Sequence, residues 1–254
     1  YGHSVGEFLF SSQWAPADNA QGGGKVGAAI FIFGSIITCA LALLISTPFS
    51  IASAIFMTEI SPGIGRKILQ PAVEIFVGIP SVVYGWIGLT ILVPFIKDLF
   101  DLKFGFSVLS AGIVLAVMIY PTITSLSADA IRSIPKSFRQ ASYGLGATRW
   151  QTISQVVIPA SKSGLMTAIV LGLARAFGEA LAVAMVIGKM KAFPESLLSP
   201  TTNLTAAIAS DMGGAMEGSE YNIALWSMAL LLFIISLVFI FIIHYISAKG
   251  GHKA

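Results

Sequence analysis

The chain has 254 residues, 56 % of them hydrophobic and only 11 % charged, with a mean hydropathy of +0.85. A soluble domain carries about 25 % charged residues, so the bilayer, and no water-solvated core, organises this chain as one polytopic membrane domain. The net charge of +3 and pI near 9.0 do not signal nucleic acid, because the basic residues are dispersed between apolar runs without interleaved aromatics.

The chain opens on a polar segment, residues 1–25, so none of the apolar runs after it is expected to be a cleaved signal peptide. The absence of an initiator Met predicts a missing upstream segment. Five charge-poor runs follow, each long enough for one crossing at about 20 residues per span: Val26 to Thr58, Ile75 to Ile96, Phe104 to Ala128, Ser163 to Gly188 and Tyr221 to Ala248. The first is longer than a perpendicular crossing needs, and Pro48 is expected to kink it or to mark where it leaves the hydrocarbon.

Near the start of the second run stands Gly78-Ile79-Pro80-Ser81-Val82-Val83-Tyr84-Gly85, one turn after Glu74. Pro80 removes a backbone donor and two glycines permit departure from helical geometry. Either an unwound helix presents Ser81 and Tyr84 as hydroxyls in a transport path, or this is an ordinary proline kink. The third run leads into the longest internal connection, residues 129–162. There Asp129 to Ile134 and Lys136 to Tyr143 read as short helices separated by Pro135, Gly144 and Gly146 as a turn, and Thr148 to Ile158 as an amphipathic piece ending at Pro159.

The fourth run holds Arg175 and Glu179, the one pair of opposite charges inside a span. A charge at the bilayer centre costs about 2.5–3.5 kcal/mol on insertion scales, so the pair marks either an ion or substrate path or a structural ion pair. On one continuous helix the two share a face and neutralise each other when nothing is bound. Gly164, Ala168, Gly172, Ala176, Ala180, Ala184 and Gly188 add a stripe of small residues at a spacing of four, the pattern that lets membrane helices approach closely. Residues 189–220 form a long loop with Pro194, Pro200, Gly213 and Gly214, and residues 249–254 form a tail after the last span.

Charge asymmetry sets the orientation. Residues 59–67, 129–162 and the tail carry nine Lys and Arg (Arg66, Lys67, Arg132, Lys136, Arg139, Arg149, Lys162, Lys249, Lys253) against Glu59 and Asp129. The alternate connections carry five Lys and eight acids. By the positive-inside rule the first set is cytoplasmic, which puts the N-terminus outside and the C-terminus inside. Five spans with an external start predict a first span upstream of Tyr1. Cys39, the only cysteine, excludes an intrachain disulfide, and His3, His244 and His252 are too scattered for a metal centre, so no metal site is predicted.

Gln140-Ala141-Ser142, three residues, Gly146, nine residues, then Val156-Val157-Ile158-Pro159 resembles the EAA loop of ABC importer permeases, with Gln140 in place of the usual Glu and Ser142 in place of the second Ala. The segments GIPSVVYG, Ala130-Ile-Arg-Ser-Ile-Pro and Ala174-Arg175-Ala-Phe-Gly178-Glu179 look like the phosphate-specific permeases of the Pst type, nearer the PstC subunit than PstA. The resemblance covers nearly the whole chain and implies an all-α MetI-like permease bundle in the cytoplasmic (inner) membrane of a bacterium or archaeon. It implies a homologous second permease, two ATPase subunits docked on the coupling residues Gln140, Ala141, Ser142, Gly146 and Pro159, and an external phosphate-binding protein. The implied role is import of inorganic phosphate.

Arg suits phosphate oxygens because its guanidinium is a permanently charged forked donor. No G-x-x-x-x-G-K-[ST] loop occurs, so the chain is expected to be no enzyme, to bind no cofactor, and to leave ATP and Mg to its partners. The alternatives are a permease for sulfate, molybdate or phosphonate, and an ATP-independent secondary transporter or channel. An intramembrane enzyme is disfavoured by the lack of paired Asp or clustered His in the spans.

Overall fold

A computed structural model describes residues 2–19 and 21–251. Tyr1, His252 and Lys253, to which the sequence reading assigned a terminus or a charge, lie outside them. In lipid each backbone polar group must be satisfied within the span, and the chain meets this with helices. Helix α1 (Val5–Phe10) starts at Ser4, whose Oγ accepts the Glu7 N–H at 3.1 Å. An antiparallel pair of two-residue strands follows, β1 (Trp14–Ala15) and β2 (Lys25–Val26).

Helix α2 (Ala29–Ile55) runs through Pro48 without ending there and continues into a π turn, Phe56–Ile60. A short α3 (Pro62–Ile64) and a second π turn lead to α4 (Gln70–Gly78). Then come α5 (Ser81–Ile87), a π turn at Gly88–Leu92 and α6 (Val93–Leu99), followed by α7 (Val108–Arg132). The next connection holds α8 (Lys136–Gly144), α9 (Arg149–Thr152), a π turn and α10 (Ile158–Ala160). The chain finishes with α11 (Lys162–Phe177), α12 (Leu181–Val186), α13 (Leu204–Asp211) and α14 (Glu220–Gly251).

Four stretches among the described residues are long and apolar enough to cross a membrane: Ala29–Ile60, Ser81–Leu99, Val108–Arg132 and Glu220–Ile246. A fifth crossing is available if Arg149–Ala160 and Lys162–Phe177, bent by 67°, act together. Two expected spans are therefore interrupted. The run Ile75 to Ile96 breaks where Ile79 turns extended (ψ 129°) and Pro80 sits at the N-cap of α5, since a proline disfavours helix in the residue before it. The run Ser163 to Gly188 is likewise two helices, because α11 stops at Phe177 and Gly178 to Ala180 separate it from α12. Of Asp129 to Ile134, expected as a separate short helix, Asp129 to Arg132 form the last turn of α7, and Pro159 lies within α10 instead of ending the helix. Helix α14 continues to Gly251, through the start of the expected tail.

The chain divides into two compact units. The first comprises Tyr1–Ala42, Pro80–Ala116 and Ala176–Leu237. Its N-terminal segment is tied down by Glu220, which is 2 % exposed. The Glu220 carboxylate accepts the N–H groups of Ala17 (2.7 Å), Gly24 (2.8 Å) and Gly23 (3.3 Å), and its Oε1 lies 2.8 Å from His3 Nε2. Trp14 packs edge-on against Phe31 with ring centroids 4.7 Å apart. In the same unit the Leu204 N–H reaches Ser35 Oγ at 3.1 Å, which seats the start of α13 on α2.

The second unit comprises Leu43–Ile79, Val117–Arg175 and Val238–Ala254. Its core cluster is Ala54, Ile55, Ala128, Ile131, Ile153, Val157 and Leu165, drawn from α2, α7, the π turn after α9, and α11. Ser53 Oγ and Tyr120 Oη, 2.7 Å apart, add a polar tie between α2 and α7.

Candidate functional site

Along α11 the small-residue stripe, at Gly164, Ala168 and Gly172, allows the close approach to α7 that its spacing predicts, while Ala180, Ala184 and Gly188 fall beyond the end of that helix. A Cβ built on Gly164 would stand 2.6 Å from Ala130 Cβ, and one on Gly172 would stand 2.5 Å from Ile123 Cγ1. Glycine is thus required for this approach, and Ala168 between them is 1 % exposed. The seam brings the last turn of α11 to the middle of α7, where Arg175 Nη1 donates to Thr122 Oγ1 at 2.6 Å. Among the described residues this is the hydrogen bond found for the guanidinium, so its partner is a neutral hydroxyl.

The expectation that Arg175 and Glu179 sit on one helix is overturned. Gly178 has weak helix propensity, and the backbone after Phe177 leaves the helix. Glu179 then serves the next helix: its Oε1 accepts the Ala182 N–H at 3.1 Å in the first turn of α12, and its carbonyl accepts from Thr205 Oγ1 at 2.6 Å. A carboxylate is well placed there, because the first N–H groups of a helix lack partners and carry partial positive charge. Within the first unit, α5 carries Ser81, half-buried, and Tyr84, 8 % exposed. It packs on α12 at Gly85, where a Cβ would stand 2.8 Å from Ala182 Cα. Ser81 and Tyr84 therefore belong to the helix packed on the one Glu179 caps. Beside them lies an open cavity of about 570 Å³ whose lining includes Val82, Leu181, Met185, Lys189 and Ser210. Among the described residues, no three His, Cys, Asp or Glu side chains cluster to hold a metal.

The predicted coupling segment folds as a helical hairpin in the second unit. Gln140 and Ala141 are exposed on α8, and Ser142 is buried, its Oγ 2.9 Å from Thr152 Oγ1. The serine at this position therefore braces α8 against α9. Gly146 takes a left-handed φ of 82° with open space around it. Thr148 then starts α9 with a capping box, its Oγ1 accepting the Gln151 N–H and Gln151 Oε1 accepting the Thr148 N–H. Phe138, Tyr143, Leu145 and Trp150 are exposed around this hairpin.

Sequence reasoning missed Thr122 and Arg139. Thr122 is one hydroxyl among several in α7, and nothing local marks it. Arg139 had a signal, since Glu59 is one of only two acids in an otherwise basic set of connections, and the two pair at 2.5 Å.

Residues 46–250 match the family described as the binding-protein-dependent transport system inner membrane component. The chain is 55 % identical over 243 residues to a probable ABC transporter permease protein, YqgH, of Bacillus subtilis, an alignment covering 96 % of this chain and 78 % of that protein. It is 36 % identical to the phosphate transport system permease protein PstC of Haemophilus influenzae, covering 91 % and 77 %. Among solved structures, a chain of the MetNI methionine ABC transporter in inward-facing conformations superposes with a TM-score of 0.64 at 19 % identity, over 87 % of this chain and 96 % of that one, which shows the shared fold. The apolar helical spans agree with these matches, and the chain belongs to the family of binding-protein-dependent transport system inner membrane components, as a multi-pass ABC transporter permease.

Proposed function

We propose that this chain is the permease subunit of an ATP-driven importer that carries inorganic phosphate into the cytoplasm. The observation that carries the reading is the Arg175–Thr122 contact. A guanidinium within a membrane-spanning segment, bonded to a neutral hydroxyl, keeps its charge available for an anion. Phosphate relatives such as PstC of Haemophilus influenzae support the same cargo. Arg175 would contact the oxyanion; Glu179, Ser81 and Tyr84 are the other residues read as handling substrate, with Glu179 accepting the proton of a P–OH group.

In this reading a second permease completes the pathway, an external binding protein delivers phosphate, and two ATPase subunits dock on the α8–α9 hairpin at Gln140, Ala141, Ser142 and Gly146, with Pro159 in α10. The N-terminal segment is external and α8, α9 and the end of α14 are cytoplasmic. ATP and Mg act in the ATPase subunits, and this chain binds no cofactor.

The test is uptake of inorganic phosphate by vesicles containing the chain with its cognate partners, with and without ATP, and with sulfate as competitor. ATP-dependent uptake that sulfate leaves unaffected and that falls in Arg175→Lys and Glu179→Gln supports the reading. Uptake without ATP sinks it. Wild-type rates in both variants, with normal assembly, would make the two residues structural.

A further inference from the structure

Arg139 is 17 % exposed and Glu59 10 %, so both ends of this ion pair are largely out of water. The pair is forked: Arg139 Nη2 reaches Glu59 Oε1 at 2.5 Å, and Nε lies 3.1 Å and 3.2 Å from the two carboxylate oxygens. The other face of the guanidinium is also used. Nη1 donates to the Ile134 carbonyl at 2.8 Å and Nη2 to the Ile131 carbonyl at 3.1 Å. Carbonyls at a helix C-terminus lack intrahelical donors and attract a cation, so Arg139 caps α7 while it holds Glu59.

Glu59 belongs to the π turn that ends α2, a form of helix that is rare and concentrated at functional positions. A second guanidinium reaches the same turn from the other side of Gly146: Arg149 Nη2 donates to the Glu59 carbonyl, and to the Ile60 carbonyl at 2.9 Å. The hairpin between these arginines is braced by Ser142 and Thr152. A displacement of the hairpin must therefore carry the end of α2 with it through Glu59 and Ile60, the end of α7 through Ile131, and the turn after α7 through Ile134. Buried ion pairs contribute little net stability compared with an apolar replacement, while loss of one partner is costly, so such a pair is better suited to fixing geometry than to adding stability.

We propose that Arg139 and Glu59 are positioning residues that link the coupling hairpin rigidly to two membrane spans, so that motion imposed on the hairpin by the ATPase subunits reaches α2 and α7. The proposal rests on the reading of the chain as an ATP-driven permease and adds the element that transmits the stroke. It does not depend on which oxyanion is carried.

The experiment uses the complete transporter in proteoliposomes with inorganic phosphate, comparing the unaltered chain with Glu59→Gln, Arg139→Lys and the exchanged pair E59R/R139E. Three quantities are measured: ATPase subunit retained on the purified complex, ATP hydrolysed per phosphate taken up, and stimulation of hydrolysis by the external binding protein. Glu59→Gln and Arg139→Lys are expected to retain the ATPase subunits but to lower uptake per ATP by about five- to tenfold, with part of the loss restored in the exchanged pair. An unchanged ratio in Glu59→Gln with subunits retained overturns the link. So does a parallel loss of subunits, hydrolysis and uptake at constant ratio, which assigns the pair to folding alone. Failure of the functional reading is seen separately: the complex with the unaltered chain then hydrolyses ATP without moving phosphate, and a wild-type response to the binding protein in Glu59→Gln still overturns the link.

Discussion

Thr122 Oγ1 holds Arg175 Nη1 at 2.6 Å, a single hydroxyl orienting a guanidinium at the end of α11. A hydrogen bond to a charged group is worth about 1.5–3 kcal/mol. Thr122→Val keeps the shape and deletes the acceptor. It is expected to raise the KM for phosphate about tenfold with the chain still assembled, whereas Thr122→Ser stays near wild type. Equal KM values for the Val and Ser variants would separate Thr122 from substrate handling.

Glu179 has a structural duty that its charge does not fully explain, since its Oε1 caps α12 through the Ala182 N–H. Glu179→Gln retains an acceptor oxygen and is expected to keep the melting temperature of the detergent-solubilised complex. Glu179→Ala loses the cap and is expected to lose about 1 kcal/mol. If Gln also abolishes uptake at unchanged melting temperature, the carboxylate charge acts in transport.

Gly172 tests the seam. A Cβ there would meet Ile123 Cγ1 at 2.5 Å, and Ile123 is fully buried, so the Ile123 side chain or the helix pair must shift to admit one. Gly172→Val is expected to cost about 1–3 kcal/mol by overpacking, and thermal unfolding in detergent measures it. Pairing it with Ile123→Ala, which removes the side chain in the way, should recover much of the loss. An unaltered melting temperature in Gly172→Val would mean the two helices are not locked at this distance.

Much of this arrangement is legible from residue type and spacing, because burial in lipid leaves a coarse and strong signal. Apolar runs correspond to four of the crossings, and the small residues at 164 and 172 imply a close helix contact, which the structure makes with α7. The same logic failed inside Ser163 to Gly188, where apolar content is continuous but Gly178 breaks the helix and Glu179 turns to cap its successor. Hydropathy is blind to such a break, since both halves are equally apolar. The α8–α9 hairpin was readable from Pro135 and Gly146, which act locally, while the bonds that fasten it are long-range. Arg139 lies 80 positions from Glu59, and no local pattern specifies that partnership. In the sequence Glu220 is one of eight acids in the alternate connections, with nothing local to set it apart, yet its carboxylate gathers four groups from residues 3–24.

That gathering predicts how the N-terminal segment responds to pH. The hydrogen bond to Glu220 raises the His3 pKa above its ordinary value, a shift opposed by partial burial and reinforced by Glu7, whose Oε2 lies 3.5 Å from His3 Nδ1. A raised histidine pKa means the anchored state holds its proton more tightly than the released one. The contribution is therefore complete below about pH 6.5, the value for a free histidine, and disappears as pH rises through the raised value. Amide exchange of residues 2–19 is expected to be slowest near pH 5.5, after correction for intrinsic rates, and to accelerate relative to that baseline by pH 8. In His3→Gln the acceleration with pH should vanish. In Glu220→Gln, which also weakens the bonds from Ala17, Gly23 and Gly24, exchange should be fast at both pH values. A pH response in His3→Gln equal to that of the unaltered chain would show that another group anchors the segment.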